Sequence, residues 1–271
     1  MCLIAFAWDP TGPQRLVVVA NRDEFYTRPT APADWWDDAP DLWAGRDLMA
    51  GGTWMGITKS GRFAALTNYR EANTYRANLL SRGHLVADFL TGTASPGAYL
   101  DTVSRSAGQF NGFNLVTGIL TGDHPALWYF GHRPGGYPTV APVSLEAGVY
   151  GLSNAVLDTP WPKVVRTTGS LATLKATEAK VPAYLALLSD QAEAEDLDLP
   201  STGVPIEWER TLSSTFIVSP TYGTRAQTVI QVRNDEALVV ERSFDNAKQA
   251  GAMAPAAVRQ ATFVMSKTER K

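Results

Sequence analysis

One thiol stands at the start of this chain, for Cys2 is its only cysteine. A polar cluster, Asn21-Arg22-Asp23-Glu24, follows two apolar runs, Leu3 to Trp8 and Leu16 to Ala20, which flank Asp9-Pro10-Thr11-Gly12-Pro13. Apolar runs around a Pro/Gly turn predict a β-hairpin that folds the cluster back beside Cys2. A thiol next to a guanidinium and a carboxylate suggests a nucleophile, because positive charge favours the thiolate. Cys2 also follows Met1, and a small second residue permits removal of the initiator methionine. Removal would put a thiol, with an ordinary pKa of about 8.5, and an α-amine, at about 7.7–8.0, on one residue. The amine would then serve as general base to its own side chain, with Asp23 orienting the ammonium. With Met1 retained that route is closed. Acyl transfer also needs donors aimed at a developing oxyanion, and asparagine side chains supply them. The competing reading of Cys2 is a small buried hydrophobe at a strand start.

The bulk numbers exclude other chemistries. At 271 residues, 45% hydrophobic and 19% charged, the chain reads as one globular domain over 1–271, with a tail at 247–271 expected to be partly irregular. A net charge of −3 provides no basic field for nucleic acid. No apolar run reaches the roughly 20 residues of a membrane span, so membrane insertion is not expected. The N-terminus lacks a basic leader pattern, which points to a reducing, cytoplasmic setting. A lone cysteine excludes an internal disulfide. His84, His124 and His132 have no zinc-pair spacing and read as structural, so neither metal nor cofactor is expected.

The elements that must position Cys2 can be read in order. Residues 27–43 are rich in Pro, Trp and Asp and read as a long irregular loop. Trp35, Trp36 and Trp43 within it must pack on something, either the protein body or a ligand. Strands are expected around Ala50–Thr58 and Gly61–Tyr69, with a turn at Lys59-Ser60-Gly61. The pair Gly51-Gly52 is not followed by a P-loop helix and reads as a bulge or a close backbone approach. Helical spacing predicts helices over 81–91 and from Ser95-Pro96 to Ala107. Strands follow at Phe113–Thr117, Ala126–Phe130 and Val149–Leu152. Helices are expected at 161–175 and 181–192, then an acidic linker over 193–205. The last strands are Ser214–Val218, Gln227–Arg233 and Ala237–Arg242, with one more at Ala261–Met265. Helix pairs placed between hairpin runs favour two stacked sheets with helices outside.

Several motifs together resemble a known family. Met-Cys at the start, Asn21-Arg22-Asp23-Glu24, Gly51-Gly52-Thr53-Trp54, Leu66-Thr67-Asn68-Tyr69, Ser81-Arg82-Gly83, Phe113-Asn114-Leu115, Leu152-Ser153-Asn154 and Tyr222-Gly223-Thr224-Arg225 look like the NRDE family, also called the transport and Golgi organisation 2 family. The resemblance implies an α+β fold, a four-layer αββα sandwich of the N-terminal-nucleophile (Ntn) hydrolase type. It implies a more distant likeness to choloylglycine hydrolases and penicillin V acylases. Carried over residue by residue, the acylase pattern makes Cys2 the nucleophile and Asp23 the amine orienter. It makes Asn68 and Asn154 oxyanion or substrate-side residues, and Arg225 the late arginine. Those acylases carry an arginine where this chain has Ala20. Arg22 has the same strand parity but lies about 7 Å further along.

Two functions compete. The first is a cysteine amidohydrolase that cuts a linear C–N amide bond of a small acylated molecule. Cys2, Asp23, Asn68, Asn154 and Arg225 would be catalytic, and Asn21, Arg22, Trp35, Trp36 and Trp54 would line the substrate site. The second is a non-catalytic protein on the same fold that holds haem, a lipid or an acyl-CoA, as the family's links to haem trafficking and secretory organisation suggest.

Overall fold

The computed structural model describes residues 2–70, 75–134 and 140–266. Its opening hairpin is apolar on both faces, as strands covered on both sides must be. β1 (Cys2–Trp8) pairs antiparallel with β2 (Gln14–Phe25), setting Cys2 opposite Arg22, Ile4 opposite Ala20 and Trp8 opposite Leu16. This hairpin lies inside a six-stranded antiparallel sheet of order β10-β1-β2-β11-β12-β13. The other members are β10 (Gly148–Leu152), β11 (Tyr222–Arg233), β12 (Glu236–Ser243) and β13 (Ala257–Val264). A second, seven-stranded sheet runs in chain order through β3 (Thr30–Trp36), β4 (Ala39–Asp47), β5 (Met55–Thr58), β6 (Arg62–Asn68), β7 (Phe113–Ile119), β8 (Ala126–His132) and β9 (Val140–Ser144).

Three apolar layers hold the sandwich together. Between the sheets, Ile4, Phe6, Trp8, Leu16 and Val18 meet Trp43, Ile57, Phe63 and Val116. On the outer face of the six-stranded sheet, Ala5, Ala7, Val17 and Val19 pack against Leu171 of α3 (Pro162–Ala176) and Tyr184 and Leu185 of α4 (Val181–Leu187). On the outer face of the seven-stranded sheet, Leu42, Ala64 and Leu66 meet Leu85 and Phe89 of α1 (Gly83–Thr91) and Leu100 of α2 (Pro96–Ser106). The architecture is the α+β, four-layer αββα arrangement. Among the described residues no helix is long and apolar enough to cross a membrane.

Several elements differ from the sequence reading. The stretch 27–43 is two strands, β3 and the start of β4, rather than an irregular loop. β3 is an edge strand with register irregularities, which is where a sheet tolerates prolines such as Pro32. Ser214–Val218 is no strand: its backbone is engaged by Asn21, whose Nδ2 donates to the Thr215 carbonyl, and by the Asp190 carbonyl, which accepts from Phe216 N. Directly before it, α5 (Ile206–Ser213) forms just past the acidic linker. The tail forms the short α6 (Ala247–Gly251) and an edge strand, β13, that starts four residues earlier than Ala261. The turn at Gly61 and the helix starts at Pro96 and Pro162 stand where expected.

Candidate functional site

Strand parity divides the polar residues around Cys2 between two faces. Ile4 and Ala20 point between the sheets, so Cys2 and Arg22, continuing the same alternation, do so as well. Asn21 and Asp23 point the other way, toward the helices. Cys2 and Arg22 are direct cross-strand partners, a relation that places Cβ atoms roughly 4.5–5.5 Å apart. The displacement from position 20 to 22 therefore does not remove the arginine from the thiol.

Cys2 is part-buried in a pocket of about 310 Å³ between the open ends of the sheets. Arg22, Asp23, Glu24, Trp54, Asn68 and Arg82 are among its lining residues. The volume falls in the range of small-molecule sites. Burial pushes the Cys2 thiol up, and the neighbouring Asp23 carboxylate adds to this. Arg22 and the backbone N–H of Asp23 act in the opposite sense. The Arg22 guanidinium lies 4.3 Å from the Trp54 ring centroid and donates from Nη1 to Thr30 Oγ1 at 3.2 Å.

The wall opposite Cys2 depends on a close approach of two backbones. Gly52 lies so near the start of α1 that a Cβ there would stand 2.5 Å from the Gly83 carbonyl carbon, and Thr53 N donates to the Gly83 carbonyl at 3.2 Å. The close-approach reading of Gly51-Gly52 is thus the right one. It brings Ser81, Arg82 and Gly83 at the head of α1 to the pocket.

A buried polar cluster lies on the helix side, under the same stretch of β2. Asp23 accepts from Thr224 Oγ1 at 2.8 Å and is 1% exposed. Lys163 of α3, also 1% exposed, donates from Nζ to the Leu212 carbonyl at 2.8 Å. Burial lowers the Lys163 ammonium to about 8, with Asp23 as the main opposing influence. Burial raises Asp23, and Lys163 is the largest influence holding it down. Arg70 and Glu209 of α5 form a buried ion pair at 2.6 Å beside them. Sequence reasoning missed Lys163, Arg70, Glu209 and Arg82. The Trp161-Pro162-Lys163 run signals a helix start, but nothing in it signals a buried lysine.

The remaining expected site residues part ways. Asn68, at the end of β6, lines the pocket. Asn154 does not: it is fully buried, and its Nδ2 donates to the Asn68 carbonyl at 2.8 Å, so it holds Asn68 in place. The adjacent Ser153 donates from Oγ to the Cys2 carbonyl at 3.1 Å, so this segment ties Cys2 to Asn68 across the two sheets. Arg225 is not beside the thiol. It occupies a bulge in β11 and donates to the carbonyls of Phe244, Phe25 and Arg28, clamping the exit from β2. Asn21 donates to the Leu188 and Thr215 carbonyls on the helix side. Trp35 packs on Phe263 of β13, and Trp36 donates to the Ala44 carbonyl beneath the Arg46 guanidinium. Neither tryptophan lines the pocket, because the strand that replaced the expected loop turns both into packing. Trp54 does line it. The expected removal of Met1 lies outside the described residues. Among those residues no three His, Cys, Asp or Glu side chains gather into a metal-holding group.

A family model described as Transport and Golgi organisation 2 matches residues 1–246. The Transport and Golgi organization protein 2 homolog of Bos taurus is 39% identical over 256 residues, covering 87% of this chain and 90% of its own. Its counterpart from Homo sapiens is 37% identical over 255 residues, with the same coverage of 87% and 90%. Among solved structures, the mutant C2A conjugated bile acid hydrolase from Clostridium perfringens matches with a TM-score of 0.52 at 7% identity, covering 99% of this chain and 98% of its own. That likeness is one of fold, the Ntn-hydrolase sandwich.

Proposed function

The chain belongs to the Transport and Golgi organisation 2 family and carries an Ntn-hydrolase-like fold, and from that premise we propose that its pocket cleaves a linear C–N amide bond of a small acylated molecule, with Cys2 as nucleophile. The observation that carries this reading is the pairing of Cys2 with Arg22 at the floor of a ligand-sized pocket. A thiol pushed up by burial needs a base. In this reading the base is the α-amine of Cys2 once Met1 is removed, with Asp23 and Lys163 on the helix side fixing its charge environment. The sulfur attacks the amide carbon while its proton passes to that amine. The tetrahedral oxyanion meets the Asn68 side chain, which Asn154 holds in position. The C–N bond then breaks, the amine leaves with the proton, and water hydrolyses the thioester.

The test is intact mass together with turnover. Purified protein should lack the mass of Met1 and gain an acyl group on Cys2 when mixed with activated acyl amides. The Cys2→Ala protein should gain none. Full retention of Met1 with unchanged turnover in Cys2→Ala would sink the proposal. A second reading, a non-catalytic holder of haem, lipid or acyl-CoA, is favoured by one observation. Asn154 and Arg225 bond backbone carbonyls instead of facing the pocket. Saturable ligand binding with no acyl adduct would select it.

A further inference from the structure

Three arginines and three acids line the Cys2 pocket, yet their pairing is uneven. Arg28 is held by Asp47 through Nη2 at 2.6 Å and Nε at 3.2 Å, and Glu24 lies 3.9 Å from its Nε. Glu24 also accepts from Phe25 N at 2.9 Å. Asp23 is engaged by Thr224 and lies among the helix-side charges. That leaves Arg22 and Arg82. Among the described residues neither has a carboxylate within 4.0 Å. Arg22 is only 6% exposed, and its polar partner is the Thr30 hydroxyl. The hydrogen bond of Arg82 goes from Nη1 to the Gly112 carbonyl at 3.0 Å, which leaves the rest of its five-donor fork unused. Burial pulls the Arg82 guanidinium down, the mark of a charge removed from water.

Two guanidiniums thus face the pocket with no carboxylate in ion-pair contact, offset only at longer range by Glu24, Asp47 and Glu241, an arrangement that a bound anion would complete. The nine-residue helix α1 begins at Gly83, next to Arg82, and adds the positive end of its dipole. The thiol of Cys2 lies within this field. We propose that Arg22, Arg82 and the head of α1 form an oxyanion subsite, so that the molecule bound at Cys2 carries a carboxylate or phosphate group near the atom facing the sulfur. The inference rests on the pocket being the ligand site, as above, but not on any amide being cleaved there. It makes Arg22 and Arg82 the residues that set charge specificity.

The chain's single cysteine makes the test direct. Iodoacetate and iodoacetamide are nearly the same size and both alkylate sulfur with loss of iodide, but only the first carries a carboxylate. The ratio of their second-order rates on native protein is compared with the ratio on the same chain unfolded in urea. The native ratio should exceed the unfolded one by roughly tenfold or more, the scale on which a charged cleft gathers an opposite ion. Inorganic phosphate and succinate, at constant ionic strength, should each be tried as protectants. The stronger one identifies the phosphate or carboxylate source. Arg82→Met and Arg22→Met should bring the ratio down toward the unfolded value, and Arg82→Lys should keep most of it. A native ratio equal to or below the unfolded ratio overturns the proposal with no variant required. So does a high ratio that both Met variants preserve. A high ratio in protein that forms no acyl adduct would remove the hydrolase reading and leave the subsite standing.

Discussion

Replacing Glu241 by glutamine should change how stability varies with pH. Glu241 lies on the inner face of β12, 2% exposed, and bridges the two sheets. Its Oε1 accepts from Ala33 N of β3 at 2.7 Å and from Ser243 Oγ at 3.3 Å, and Oε2 accepts from Thr228 Oγ1 at 3.2 Å. Burial is the largest influence on it and raises its pKa from 4.5 to about 7, against those hydrogen bonds and the charge of Arg22. The folded state therefore keeps this proton over a range where the unfolded chain has lost it. A raised folded pKa means that the stabilising contribution is complete below pH 4.5 and is lost as pH climbs toward 7. At about 1.4 kcal/mol per pH unit, the wild type loses about 3 kcal/mol at this site over that span. Glutamine cannot ionise, so the variant loses none of it. The neutral amide keeps one acceptor oxygen but points an NH₂ at a hydroxyl, at a cost of about 1 kcal/mol. Urea unfolding at pH 5, 6, 7 and 8, followed by tryptophan fluorescence, gives the difference between the two proteins at each pH. The variant should be the weaker at pH 5 and the stronger at pH 8. A difference that stays flat from pH 5 to 8, with equal urea slopes, would refute the raised titration of the buried Glu241.

Lys163→Met should destabilise by roughly 3–5 kcal/mol, because it removes the strongest opposing charge on the buried Asp23 carboxylate. Adding Asp23→Asn should recover part of the loss in urea unfolding, and independent, additive losses would refute the coupling. Gly52→Ala should cost roughly 1–3 kcal/mol by driving a methyl into the Gly83 backbone. It should also alter the alkylation rate of Cys2 by shifting the head of α1, and an unchanged rate and melting temperature would remove the close approach as a constraint. The rate of Cys2 alkylation by iodoacetamide should rise with a midpoint above that of the unfolded chain, since burial raises the folded thiol and the thiolate appears only at higher pH. Arg22→Met should move that midpoint higher still. A native midpoint below the unfolded one would contradict the first expectation, and an unchanged or lower midpoint in Arg22→Met the second.

Much of the fold was legible because period-two alternation and Pro/Gly turns are local signals. The hairpin, the strand around Phe113 and the proline-led helices follow from neighbouring residues alone. The errors came where distant pairing outweighed local composition. Pro29, Pro32 and three tryptophans look like loop material, yet an edge strand absorbs them. Phe216 and Ile217 look like strand, yet their segment touches β11 only at its end, through the Ile217 carbonyl and a Val218–Gly223 bridge, and otherwise bonds side chains and a neighbouring loop. The site was legible to the same degree. Cys2, Arg22, Asp23 and Asn68 fall on strands whose register a hairpin sets. Asn154 and Arg225 were found as residues but not as roles, because a bulge at Arg225 and the reach of Asn154 Nδ2 are three-dimensional facts.

The division of β2 between two faces has a chemical consequence. Arg22 acts on the sulfur side, and Asp23, one residue on, acts on the helix side with Lys163 and the Arg70–Glu209 pair. A single side chain could not both favour a thiolate and hold an ammonium, for the first needs positive charge and the second negative. In the proposed hydrolase, adjacent strand residues would meet both demands because successive side chains diverge by half a turn. The price is that a carboxylate must be kept deep under Cys2, where its own charge raises the thiol. Lys163 limits that effect by compensating Asp23 from below. Removing Lys163 should therefore reach Cys2 both directly and through Asp23, although the two residues belong to different layers of the sandwich. A Lys163→Met protein that stays folded should react more sluggishly with iodoacetamide at pH 8 if Asp23 remains ionised, and faster if Asp23 takes up a proton, because a neutral Asp23 no longer opposes the thiolate. The same measurement on Lys163→Met combined with Asp23→Asn gives the direct effect of the lysine, and the remainder reports the charge state of the carboxylate beneath the thiol.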